Sequence, residues 1–167
     1  PSGEVSTSNK LTSTHNGAPV GASTIVDVAL GEEGTWSIID NKRSKVFTYD
    51  QFGNLLFVFG DIGMMLGNIQ NLTAITYQDN DILLLDSQLN NVTKFTRTDY
   101  GDTLINALAN ENNQNYDAAI DDYQSILQRN SNFDTAYVGI GKALYREYDW
   151  TGAMKYFKIA YDTSNYS

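Results

Sequence analysis

Between Ile25 and Phe95 the apolar residues come in short β-branched and aromatic runs, broken by Gly, Asn and Asp. The runs are Ile25–Leu30, Trp36–Ile39, Lys45–Tyr49, Leu55–Phe59, Leu72–Tyr77, Ile82–Leu85 and Val92–Phe95. Short runs with turn-forming residues between them predict strands, and Gln51-Phe52-Gly53-Asn54 reads as a hairpin turn. Beyond Gly101 the texture changes. Ala and Leu rise, no Gly occurs until Gly139, and apolar spacing shifts to three and four at Ala119, Ile120, Tyr123, Ile126 and Leu127. That is the helical period, and it predicts helices over roughly Thr103 to Asn112 and Tyr116 to Arg129. Asp99-Tyr100-Gly101-Asp102 reads as the joint between a β half and an α half. Residues 1–22, rich in Ser, Thr, Gly and Asn, read as an irregular segment.

Each half repeats. In the β half the spacing is 46 residues: Asp40 falls on Asp86, Val46 on Val92, Tyr49 on Phe95, and Trp36-Ser37-Ile38-Ile39 on Ile82-Leu83-Leu84-Leu85. The glycines Gly53 and Gly101 are 48 apart, the same register with two residues inserted. In the α half the spacing is 34 residues, pairing Tyr116 with Trp150, Ala119 with Ala153, Ile120 with Met154, Tyr123 with Phe157 and Ile126 with Ala160. A period of about 40–50 residues holding about four strands is that of a propeller blade, and one of about 34 that of a helix-turn-helix solenoid.

The pattern Ile38-Ile39-Asp40, Lys45-Val46, Tyr49, Phe52-Gly53-Asn54-Leu55 and Phe59-Gly60 resembles the NHL repeat of β-propellers. Its second copy is Leu84-Leu85-Asp86-Ser87, Asn90-Asn91-Val92, Phe95 and Gly101. Pro1–Val5 is similar to the hairpin turn of a preceding blade. The α half resembles the tetratricopeptide (TPR) repeat: Tyr137, Ile140-Gly141, Leu144, Trp150, Ala153, Phe157 and Ala160 make a good copy over 134–167. The copy over 102–133 is degenerate, with Asn106 and Asn110 where apolar residues are usual. The expected fold class is therefore mixed β then α. Residues 23–101 form two antiparallel four-stranded NHL-type blades, the second incomplete, and 102–167 form two TPR units. Helix replaces the second blade's outer strand near Thr103–Leu104, so that blade is expected to lack or borrow a fourth strand, with helix 103–112 over its edge. Blades followed by TPR units are similar to envelope-associated proteins of Gram-positive bacteria. That resemblance implies an extracytoplasmic, carbohydrate-rich setting and membrane attachment only through other parts of a longer parent. Two blades are roughly a third of a six-bladed ring, and two TPR units end without a capping helix. A piece of a longer chain is expected, with ring completion by assembled copies as the alternative.

The chain has 167 residues, 11 Lys+Arg against 20 Asp+Glu, a net charge of −9, one His and no Cys. Its acidity argues against binding a phosphate backbone. Lack of Cys removes disulfides and thiolate chemistry, and no apolar run approaches a membrane span. His15, in the polar N-terminal stretch, reads as a bystander. Asp40 and Asp86 end equivalent strands, either as a metal or acid pair or as a recurring turn; recurrence favours the turn. Asp121-Asp122 reads as a solvated helix face. Gly60-Asp61-Ile62-Gly63 and Gly67 resemble a phosphate loop without its lysine. The sequons at Asn71, Asn91 and Asn165 read as accidents of composition. Tyr49, Phe57, Phe59 and Phe95 read as inter-blade core, and Trp36 as core or as a ring that stacks on a sugar.

The TPR resemblance places Thr135, Val138, Lys142, Tyr145 and Arg146 on a concave groove, with Lys142 and Arg146 one turn apart. Such a cation pair suits a carboxylate of a peptide or protein segment. The bland alternative pairs both with Glu147, Asp149 or solvent. The expected function is a non-catalytic protein-interaction scaffold without cofactor or metal. The alternatives are a carbohydrate or cell-wall binding module, and a metal-dependent hydrolase or lyase using Asp40 and Asp86.

Overall fold

A computed structural model describes residues 22–60 and 69–164. The chain forms two compact units, Pro1–Thr96 and Arg97–Ser167.

In the first unit, β1 (Ile25–Leu30), β2 (Trp36–Asp40), β3 (Lys45–Tyr49) and β4 (Leu55–Phe59) make an antiparallel sheet in sequential order. A second antiparallel sheet follows from β5 (Leu72–Gln78), β6 (Asp81–Asp86) and β7 (Asn91–Phe95). Among the described residues it has three strands, where the expectation was a sheet without a fourth strand of its own. The 46-residue spacing holds in the pairing itself. Trp36 lies opposite Tyr49 and Asp40 opposite Lys45, as Ile82 lies opposite Phe95 and Asp86 opposite Asn91. Each first strand shifts register at the corresponding place, between Ile25 and Asp27 and between Leu72 and Ala74. Ser44 and Asn90, also 46 apart, take the left-handed conformation at φ 52° and 51° in the following turns.

Strand alternation divides the apolar residues between the two faces of the first sheet. Ile39 and Val46 join Ile69, Leu72, Ile75, Ile82 and Leu84 in one buried cluster, with Phe59 and Phe95 packed against it. Their rings lie 5.5 Å apart, so both take the expected place between the sheets. Tyr49 does not. With Ile38 and Phe47 it forms a separate cluster flanked by Trp36, Leu55 and Val58, because odd and even residues of β3 point to opposite faces.

In the second unit, α1 (Asp99–Asn112), α2 (Tyr116–Arg129), α3 (Asp134–Arg146) and α4 (Trp150–Ser164) pack consecutively, α1 on α2, α2 on α3 and α3 on α4. The 34-residue spacing recurs in the backbone of the joints. Gln114 and Tyr148 have φ 63° and 66°, and Asn115 and Asp149 each donate a backbone N–H to the carbonyl five residues earlier, on Asn110 and Leu144. Ala119 and Ala153 then donate to Asn115 and Asp149. α1 begins earlier than expected: Asp99–Asp102 is its first turn, not a loop. Thr98 caps it by accepting from the Gly101 N–H at 3.3 Å, and two aspartates at the positive end of the helix dipole favour that start. Gly101 is therefore helical and not the counterpart of the turn glycine Gly53.

Small residues set the helix spacing. A β-carbon on Gly139 would collide with the Tyr123 ring, and one on Gly141 with the Phe157 ring. Glycine at these two sites lets α3 seat one aromatic from each neighbouring helix. No helix of the described residues is long and apolar enough to cross a membrane.

Candidate functional site

The two repeated aspartates are buried, Asp40 fully and Asp86 almost so. The Asp40 carboxylate accepts backbone N–H bonds from Thr24 at 3.0 Å and Lys42 at 3.1 Å, and one from the Arg43 guanidinium at 2.6 Å. The Asp86 carboxylate accepts from Gln70 at 2.6 Å, Asn71 at 3.2 Å, Gln88 at 2.9 Å and Leu89 at 3.0 Å. In both, one donor is sixteen residues back and another two residues ahead. Each carboxylate thus ties the turn after its strand to the backbone just before the sheet's first strand. Burial pushes both acids up in pKa. For Asp40 this is outweighed by Arg43, Thr24 and Ser23, and for Asp86 by four backbone amides, so both stay below the ordinary carboxylate value. The chemistry on display is that of a turn staple. Among the described residues no group of three or more His, Cys, Asp or Glu is placed to hold a metal.

Polar groups also join the two sheets. The Ser37 hydroxyl lies 2.6 Å from both the Thr48 and the Tyr77 hydroxyls. Asp27 accepts the Ile75 N–H at 2.8 Å, and the Asn41 amide donates to Asn71 Oδ1 and to the Leu72 carbonyl at 2.6 Å. Asp27 has no acidic counterpart in the second sheet: Thr73 stands 46 residues on, and Ala74 holds the equivalent pairing position, opposite Leu85 as Asp27 is opposite Ile39, so the repeat gave no sign of it. Asn71 uses both ends of its amide, its Nδ2 donating to Ser87, which leaves that sequon nitrogen engaged. Asn91 is exposed at the start of β7.

Trp36 is half-buried. One face of its ring stacks on Tyr49 at 4.6 Å, and its indole N–H donates to the Asp50 carbonyl at 2.8 Å. Asp121 is exposed, whereas Asp122 is half-buried and accepts from the Asn110 amide at 2.9 Å. That bond corrects the reading of both as plain solvated acids and gives the out-of-pattern Asn110 its partner. His15, Asp61, Ile62, Gly63, Gly67 and Asn165 lie outside the described residues, as does Pro1–Val5.

α3 carries the groove residues. Ala136, Gly139, Ile140 and Ala143 are buried, Thr135, Val138 and Lys142 are half-buried, and Tyr145 and Arg146 are exposed. Helix geometry puts Lys142 and Arg146 on one face. Thr135 is tied locally, its N–H donating to Asp134 at 2.8 Å. The Tyr145 ring stands edge-on to Trp150 at 5.2 Å, and Tyr148 adds a third ring 6.1 Å from Trp150. This aromatic corner was missed by the sequence reading, which treated Trp150 only as a repeat position. A scan against protein-family models matches none, and a search of curated proteins finds no match.

Proposed function

We propose that this chain is a non-catalytic protein-interaction scaffold, made of NHL-type blade units and TPR units, whose α3 face receives an acidic peptide segment. The observation that carries the reading is the arrangement of α3. One side is packed with Ala136, Gly139, Ile140 and Ala143, and Lys142, Tyr145 and Arg146 stand on the other. In a chain of net charge −9, two cations one turn apart beside an exposed ring form a local site for a carboxylate. The recurrence of both periods in strand register and joint hydrogen bonds supports tandem units of the kind the sequence resembles. The envelope setting and a longer parent belong to the same proposal, on that resemblance. The carbohydrate alternative rests on Trp36, whose stacked face and engaged N–H suit core packing better.

The test is calorimetric titration of the full chain with acidic peptides and their amidated, neutral counterparts. Acidic peptides are expected to bind, to weaken with salt, and to lose about tenfold or more in affinity on Lys142→Glu/Arg146→Glu. Equal binding of both peptide sets, or indifference to the double substitution, overturns the groove. Turnover in a hydrolase or lyase screen overturns the non-catalytic reading.

A further inference from the structure

The joint between α3 and α4 carries an aromatic corner that packing does not require. Tyr145, Tyr148 and Trp150 are 50%, 75% and 56% exposed. Tyr145 stands edge-on to Trp150, at 83° and 5.2 Å, and Tyr148 lies 6.1 Å from Trp150. An edge-on pair leaves ring face uncovered, and residues 145–151 are exposed throughout. Tyr148 also has φ 66°. It sits just past a helix end, where glycine or asparagine is favoured and a bulky side chain is strained. A strained and exposed ring adds little to the fold, and such outliers mark functional surface.

The repeat shows how such a joint fares when a further helix packs beyond it. At the α1–α2 joint, with α3 against α2, the counterpart of Tyr148 is Gln114, which is exposed. The counterparts of Tyr145 and Trp150 are Glu111 and Tyr116, both half-buried. Tyr148 therefore owes its exposure to its place on the joint, and the positions of the other two rings keep part of their surface beside a neighbouring helix.

The chemistry around the rings sets what fits them. Lys142 stands one turn before Tyr145 and Arg146 directly after it, whereas Glu147 and Asp149 flank Tyr148. Asp149 accepts the Gly152 N–H at 2.9 Å, and Glu147 is exposed. A bound segment thus turns its carboxylates toward Lys142 and Arg146 and uncharged residues toward Tyr148. Among the described residues, the Tyr145 and Tyr148 hydroxyls and the Trp150 indole N–H donate to no protein group, unlike the Trp36 indole, which donates to Asp50. Flat pyrrolidine rings stack on aromatic faces, and an extended polyproline segment offers such donors carbonyls that have no internal partner. The patch spans one joint and not the length of a helix, which suits a few extended residues.

We propose that the α3–α4 joint binds the prolines of an acidic, proline-containing segment of a partner protein, held in polyproline conformation with its carboxylates on Lys142 and Arg146. This rests on the reading of α3 as an acidic-peptide site and adds the partner's second feature. The chain's own prolines, Pro1 and Pro19, have only Glu4 as an acid within residues 1–22, so they do not supply that segment.

Two short peptides are titrated into the full chain by calorimetry: glutamates followed by prolines, and the same peptide with alanine for every proline. The proline peptide is expected to bind about tenfold tighter. Tyr148→Gly is expected to remove that advantage and leave the affinity for the alanine peptide unchanged. Because glycine is unstrained at φ 66°, this variant should melt at or above the wild-type temperature. The emission of Trp150, read in Trp36→Phe, should shift with the proline peptide and not with tetramethylammonium chloride. Equal binding of the two peptides overturns the proposal and leaves the acidic-peptide reading standing; binding of neither ends both. A proline advantage that survives Tyr148→Gly overturns it, as does a lowered melting temperature, which makes the ring a fold contact. So does Trp150 emission that ignores the proline peptide, or that answers equally to tetramethylammonium and so gives the corner to a cationic guest.

Discussion

The two units repeat by different physics. In the β unit what recurs is a buried carboxylate: Asp40 and Asp86 gather backbone amides from a turn and from a strand start, so the repeat is locked by charge-assisted hydrogen bonds. In the helical unit what recurs is shape. Tyr123 and Phe157 are seated by glycines of α3, and the joints repeat through backbone bonds alone. A polar lock fails when its acceptor is removed or protonated. A steric lock fails when volume is added.

The largest expected effect breaks the polar lock. Asp40→Ala strands two amides and the Arg43 guanidinium in a buried site, and should cost the β unit about 3–4 kcal/mol by urea denaturation. Breaking the steric lock comes next: Gly139→Val drives a branched side chain into the buried Tyr123 ring and should cost the helical unit about 2–3 kcal/mol. Acid sharpens the contrast. Both aspartates titrate below their unfolded value of about 3.9, so their stabilisation is complete at neutral pH. It is lost as pH falls below about 4 through the lower folded values, and thermal melts across that range should show it. Tyr77→Phe removes one hydroxyl from the link to Ser37 while Thr48 keeps its bond, a cost of about 1 kcal/mol. Thr98→Ala, which uncaps α1, should cost about 0.5–1 kcal/mol and loosen its first turn.

Much of this was legible in the chain. Strand bounds followed from apolar runs closed by Gly, Asn and Asp, and the 46- and 34-residue spacings carried through to register and joints because each unit reuses one local solution. The start of α1 was misread because Gly101 and two aspartates look like a turn; Thr98 before them is the capping signal that decides otherwise. Tyr49 was placed between the sheets although its parity with Phe47 puts it on the other face. Asp27 and the Asn110–Asp122 bond use residue types that do not recur in the other copy of their repeat, so no periodicity could reveal them. Of the site, the cation pair on α3 was visible from its spacing. The aromatic corner at the α3–α4 joint needed the ring geometry, because the repeat alone gives Trp150 and Tyr116 the same role.

Residue-resolved amide hydrogen exchange on the wild type and on Asp40→Ala tests the division between the two locks most directly. The account predicts faster exchange throughout β1 to β7 with α1 to α4 unchanged, and the reverse for Gly139→Val. Equal acceleration of strands and helices in either variant would contradict it.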